Sequence, residues 1–437
     1  MAVNVCPPSY SPASSSSTLD ALPSYTRCPH ASEEIIASTP STQSALPTGF
    51  VMRRGKHATV VLHNQEPDAS IPQYENRGVI AGEIALEHSG TVLAVSLKLQ
   101  ASMSTSTRAG SRTEPILRKT VSLYNQTRCS CPSGPSPCPG IVPFSIDLPV
   151  TFRHPELRQD FPLPPSFKLS HYDEDMASLF YAEVEYALLV SVTRRVSVLG
   201  MKFTTSVHGI RIPIKYAPKS RPAAPAIDLA LRGSLKCHPD EWSQKSSELH
   251  NAVPELGSIQ FDFFTPSVRV FCVGQPIRFH LLACGNLLAM RDLWQSTYTS
   301  SSTCHPQACS SSASARPSLR VTLMRQYVAE SSGGKGVHSV DLGEAELYSL
   351  PPSIDSVCKV SGTACLYWEG QVKFTCMKTV GTFNVGNLQA KDFLVVSFSP
   401  NNTQSKLSSH KLHVPVRLVS DAWLPPAGYT YDQLSLL

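Results

Sequence analysis

Ile141-Val-Pro-Phe-Ser-Ile-Asp-Leu-Pro149 and Ala182-Glu-Val-Glu-Tyr-Ala-Leu-Leu-Val-Ser-Val192 decide how this chain is read. In the first, Phe144, Ile146 and Leu148 alternate with Ser145 and Asp147, the period-two pattern of a half-buried strand. Pro149 closes it, because proline has no N–H to give a ladder. In the second, Ala182, Val184, Tyr186, Leu188, Val190 and Val192 share one face, and Glu183, Glu185 and Ser191 share the other. A proline-rich turn, Phe161-Pro-Leu-Pro-Pro-Ser-Phe167, lies between them. Two such strands with a pinned connection predict an antiparallel sandwich, one face core and the other wet.

The same alternation extends outward. Strands are predicted in Ala58–Asn64, Gly78–His88, Thr91–Gln100 and Ile116–Tyr124 before the deciding stretch. After it come Val196–Phe203 and Val207–Tyr216, with almost no helical periodicity in this half. Residues 101–114 and 129–140 read as loops. A second series follows: 227–235, 258–264, 267–272, 276–284, 319–325, 337–347, 358–364, 372–376, 393–400 and 411–419. Residues 237–256 are polar and read as a loop. The expected organisation is therefore all-β, with two tandem antiparallel β-sandwiches. Residues 1–46, rich in Ser, Thr and Pro, form a disordered tail. The first sandwich covers 47–218, a proline-stiffened linker 219–225, and the second sandwich 226–421. A Ser/Thr/Cys-rich disordered insertion is expected at 296–317, and a C-terminal tail at 422–437.

Composition narrows the function. Of 437 residues, 41% are hydrophobic, enough for real cores, and 16% are charged, which is low. A net charge of +5 without a clustered basic face argues against nucleic acid. The N-terminus has no basic and apolar pair of regions, and no apolar run reaches the roughly 20 residues of a membrane span. The 13 cysteines are odd in number and read as mostly reduced, buried small hydrophobes of a cytoplasmic protein. The sequons at Asn125 and Asn401 then carry no glycan.

Taken together, Gly78–Leu86, Thr91–Leu99, Pro143–Pro149, Leu163–Phe167, Ala182–Val192 and Lys215–Pro222 resemble the N-domain of the arrestins. Phe271–Phe279, Asp392–Pro400 and Val414–Asp421 resemble an arrestin C-domain. The likeness runs from about residue 50 to 421 and is nearest to the α-arrestins, the arrestin-related trafficking adaptors. It implies an arrestin fold and a non-catalytic adaptor without cofactor or metal. Such a protein would work in protein transport, linking membrane transporters or receptors to ubiquitin ligases and endocytosis. It would sit peripherally, recruited from the cytoplasm to plasma membrane or endosomes.

Three motifs carry chemistry. Pro7-Pro8-Ser9-Tyr10 is a PPxY motif. Its prolines preset a polyproline II helix for an aromatic groove and Tyr10 enters a second pocket, as a WW domain requires. The expected partner is a WW-domain HECT-type ubiquitin ligase. Leu22-Pro23-Ser24-Tyr25 is a weaker second copy through Pro23 and Tyr25; Ile71–Tyr74 falls within the sandwich and reads as a loop. The family places such motifs after the C-domain, whereas here they precede the N-domain. The C-terminus, Tyr431-Asp-Gln-Leu-Ser-Leu-Leu437, fits both the tyrosine motif (Tyr431, Leu434) and the acidic dileucine motif (Asp432, Leu436, Leu437) of clathrin adaptors. Arg53, Arg54 and Lys56, with Arg194 and Arg195, form basic clusters that would hold an acidic or phosphorylated cargo tail; arginine binds phosphate bidentately. The plain alternative is solvated turn charge.

Other patterns do not reach a site. Cys129, Cys131 and Cys138, and Cys304, His305 and Cys309, lack paired zinc spacing. Gly333-Gly-Lys-Gly336 lacks the spacing of a phosphate loop and reads as a turn. Two other functions stay open: a retromer-like sorting scaffold of the same fold that recruits no ligase, and an enzyme or extracellular sandwich. The last requires a convergent polar pocket or cysteines paired within bonding distance.

Overall fold

The computed structural model describes residues 33–35, 47–126, 137–173, 178–198, 202–226, 237–298, 318–331, 333–350, 362–375, 380–400 and 405–424. In chain order the first half holds β1 (Glu33–Ile35), β2 (Gly49–Arg54), β3 (Ala58–Gln65), β4 (Gln73–Tyr74), β5 (Val79–Leu86), β6 (Val92–Thr107) and β7 (Gly110–Asn125). It continues with β8 (Ile141–Asp147), β9 (Thr151–Arg153), β10 (Asp160–Pro162), β11 (Phe167–Asp173), β12 (Ser178–Val198), β13 (Lys202–Tyr216) and β14 (Ser220–Pro222). The second half holds β15 (Trp242–Leu249), β16 (Ile259–Pro266), β17 (Val270–Cys272), β18 (Ile277–Asn286), helix α1 (Leu287–Tyr298), β19 (Leu319–Ser331) and β20 (Gly334–Leu350). β21 (Thr363–Phe374), β22 (Phe383–Asn384), β23 (Leu388–Phe398) and β24 (His410–Val419) complete it.

The chain is all-β and builds two sandwich units. In the first, the sheet β4-β13-β12-β6-β7, with β11 on β12, faces the sheet β2-β3-β5-β8. The predicted alternation is what fills the space between them. Ala182, Val184, Tyr186, Leu188, Val190 and Val192 are each 2% exposed or less, and Phe144 and Ile146 from β8, with Leu148 just after it, join them in the core. The Tyr186 hydroxyl donates to the Pro164 carbonyl (2.6 Å), so the proline turn is fastened to the strand it precedes. In the second unit one ten-stranded sheet, β15-β16-β18-β21-β20-β19-β23-β24-β17 with β22 on β23, curls around its own core.

Two long strands belong to both cores. On β19, Leu319, Val321 and Leu323 enter the second core and Ala329 the first. On β23, Leu394, Val396 and Phe398 enter the second core, Leu388 and Ala390 the first. Where the cores part, Arg325 stands opposite Asp392, both side chains fully buried. Arg325 donates from Nε and Nη2 to the two carboxylate oxygens (2.7 and 2.9 Å) and from Nη1 to the Val380 carbonyl (2.6 Å). Thr382 donates its hydroxyl to Asp392 (2.5 Å). A buried ion pair persists only when its remaining donors and acceptors are met in this way.

Several expectations are corrected. Residues 101–107 and 110–114 are not a loop but the ends of the β6–β7 hairpin; Ala101, Met103, Thr105 and Thr107 are buried. Ala101 and Met103 enter the first core, whereas Thr105 and Thr107 face the second unit: the Thr107 and Ser331 hydroxyls lie 3.0 Å apart. Residues 242–249 form edge strand β15, in which Trp242 and Leu249 are buried and the residues between them alternate on a solvated edge. The expected insertion does not begin at 296, because α1 runs through Tyr298 and Ser296 is buried. Asn286 caps this helix by accepting the Leu288 N–H at 2.9 Å, and Ala289, Met290 and Leu293 bury one stripe. The linker does pack: β14 pairs with β1, a strand inside the expected tail, and the Ser420 hydroxyl bridges to Ser220. The remaining residues of 1–46 lie outside the described residues.

Candidate anion-binding site

Arg54-Gly-Lys-His-Ala58 forms the β2–β3 turn, closed by the Gly55 N–H donating to the Ala58 carbonyl (2.8 Å). The Glu87 N–H donates to the His57 carbonyl (3.0 Å), tying the turn to the end of β5. β12 arrives at the same corner. Its register against β6 shifts between Thr193 and Arg194, and Arg194 is buried to 9% exposure. There its Nε and Nη2 both donate to the Thr91 hydroxyl (3.0 and 2.8 Å), which in turn donates to the His88 carbonyl (2.9 Å). β13 adds His208, whose ring meets His57 edge-on at 4.4 Å and whose Nε2 lies 3.0 Å from the Ser206 hydroxyl.

Lys56, His57, Arg194 and His208 thus form one cationic corner from three separated segments. Burial first, then the charges of Arg194, His208 and Lys56, lower the pKa of His57 below the ordinary histidine value, while Glu87 acts in the opposite direction. Glu87 also pairs with exposed Arg54 at 3.7 Å, which marks the acidic rim of the corner. The corner thus sets a buried guanidinium, held by Thr91, beside an exposed lysine and two imidazoles in edge-on contact.

The structure therefore brings together Lys56 and Arg194, with Arg54 beside them through Glu87. Arg53 is turned away; its guanidinium donates to the Ser70 carbonyl. Arg195 alternates to the opposite face and is exposed. His57, His208 and Thr91 were not singled out in the sequence, which has no spacing signal to join positions so far apart.

The PPxY motif (Pro7, Pro8, Tyr10), its second copy (Pro23, Tyr25) and the C-terminal motif at 431–437 lie outside the described residues. Ile71–Tyr74 is partly strand: β4 runs parallel to β13 and Tyr74 is 6% exposed. Of Gly333–Gly336, expected as a turn, only Gly333 lies in the β19–β20 turn; Gly334–Gly336 open β20 and pair with the end of β19. Cys138 is buried and free; Cys129, Cys131, Cys304, His305 and Cys309 lie outside the described residues. Among the described residues no group of three metal-ligating side chains gathers, and no helix is long and apolar enough to cross a membrane. No family model matches the chain, and no curated protein matches it.

Proposed function

We propose that this protein is a non-catalytic, α-arrestin-like trafficking adaptor. It holds the acidic or phosphorylated cytosolic tail of a membrane transporter or receptor and brings it to a WW-domain HECT-type ubiquitin ligase. The observation that carries the reading is the cationic corner of Lys56, His57, Arg194 and His208 at the end of the first sandwich. The two-unit β architecture and the Pro7-Pro8-Ser9-Tyr10 sequence support it alongside. The ligase contact rests on the polyproline II chemistry of that peptide.

The test has two arms. A fluorescent acidic peptide, phosphorylated or not, is titrated against wild type and Lys56→Glu. A charge-assisted hydrogen bond contributes about 1.5–3 kcal/mol, so phosphate-dependent binding should weaken roughly tenfold or more in the variant. Equal binding of both peptides sinks the cargo assignment. In the second arm, isolated WW domains are used to pull down wild type and Tyr10→Ala. Equal recovery removes the ligase and leaves the sorting scaffold.

A further inference from the structure

Cysteine usage predicted mostly free thiols, yet Cys284 and Cys365 are joined. Cys138, Cys237 and Cys272 are free. We propose that Cys284–Cys365 is a reversible thiol–disulfide couple, opened by a small thiol of the glutathione class and closed by the corresponding disulfide, with the fold retained in both states.

The two cysteines are directly opposed on β18 and β21, with Cα atoms 4.3 Å apart. Non-hydrogen-bonded pairs in any antiparallel ladder stand about 4.5 Å apart. The sheet therefore sets the approach of the sulfurs, whether or not they are bonded. The ladder runs on past the cysteines, to Ile277↔Val372 on one side and Asn286↔Thr363 on the other. Its inward residues, Ile277, Phe279, Leu281 and Ala283, are buried in the second core. Loss of the bond removes no core contact.

Access differs between the cysteines. Cys284 and Cys365 are half-buried on the sheet face turned from the core, which a small thiolate reaches. Cys138 and Cys272 are buried, and burial raises their thiol pKa values, so they are poor exchange partners. The chemistry balances: one thiolate attacks a sulfur to give a mixed disulfide and frees the other cysteine. A second thiolate then attacks the small thiol's sulfur in that mixed disulfide, which breaks its bond to the protein and releases the remaining cysteine as a thiolate. The protein pair gains two electrons and two protons, and one small-molecule disulfide leaves.

The bond sits two rungs from the point where β18 becomes α1. Opening it frees those two rungs and the capped first turn of α1, where Leu287 and Leu288 stand exposed. The effect is confined to that end of the sheet.

The test uses the full chain, equilibrated in buffers of reduced and oxidised glutathione. Accessible thiols are alkylated with light iodoacetamide, and the protein is then denatured, reduced and alkylated with heavy reagent. In oxidising buffer exposed Cys237 should carry the light label, while Cys284 and Cys365 carry the heavy one. Millimolar reduced glutathione should convert both to light, and reoxidation should restore them. Far-UV circular dichroism should not change. Hydrogen exchange at 286–290 and 363–365 should accelerate by about tenfold on reduction, with little change elsewhere. A Cys284→Ala/Cys365→Ala chain should fold and show the fast exchange profile in either buffer. Light labelling of both cysteines in oxidising buffer overturns the proposal. So does resistance to glutathione until denaturant is added. Unfolding on reduction, or a double variant that does not fold, overturns the claim that the fold is indifferent to the bond.

Discussion

Asp392 is 1% exposed and accepts Arg325 and Thr382 between the two hydrophobic cores. Removing its carboxylate leaves a guanidinium uncompensated in the interior. Asp392→Ala should lose about 3–5 kcal/mol in chemical denaturation; a loss below about 1 kcal/mol would show that water reaches the site. His280 makes a second residue-scale case. It is 6% exposed and meets Trp242 edge-on at 4.7 Å. Burial first, then Arg278, lowers its pKa from 6.5 to about 4. Between those values the unfolded chain binds a proton and the folded one does not. Stability should therefore fall as pH drops from about 6.5 to 4, by on the order of 2–3 kcal/mol. Denaturant midpoints at pH 7 and pH 4.5 check this, and His280→Gln should flatten the difference. An unchanged pH response in the variant would place the loss elsewhere. Neither residue's role was legible in the sequence: Asp392 and its partner Arg325 lie on strands far apart along the chain, and nothing local to His280 records that Trp242 packs on it.

At the scale of elements, the β6–β7 and β19–β20 hairpins press tip to tip. A Cβ on Gly336 would lie 2.5 Å from the Thr107 Cγ2, and one on Gly333 would collide with the Ala109 carbonyl. The glycine-rich run reads as a turn in the sequence, yet Gly334–Gly336 begin β20, and its composition answers to the other unit that it touches. Gly336→Val should cost about 1–3 kcal/mol, as overpacking does. The smaller partner change Thr107→Ala should restore part of it in the double variant. No recovery would mean that the strain is local to the β19–β20 turn. The strands of the first unit were readable because one face is buried and the other wet. The extension of β6 and β7 was not, because Thr105 and Thr107 are buried against another unit and so keep polar side chains. β15 escaped for the complementary reason: an edge strand between two buried ends, Trp242 and Leu249, alternates among polar residues.

For the whole molecule, sharing β19 and β23 between two cores argues against independent units. A polar junction reinforces the sharing. Asn387 donates its side-chain amide to Glu114 (3.2 Å), Arg112 pairs with both Glu114 and Glu156, and Gly386 leaves room for His154. Thermal unfolding followed by calorimetry should show one cooperative transition across the described fold, and Glu114→Ala should lower its midpoint without splitting it. Two separated transitions in the wild type would contradict the shared-core picture.

By itself the sequence determined that this is an all-β chain and which faces of Phe144–Leu148 and Ala182–Val192 are buried, because period-two burial is written locally, residue by residue. It also held the basic residues, without their grouping. Only the tertiary structure decided that Lys56 and Arg194 share a corner with His57 and His208 while Arg53 turns away. Likewise, only the structure set Cys284 opposite Cys365, and only it let the two cores share strands. Those are matters of register and close approach between distant segments, which backbone pairing fixes and which no local pattern records.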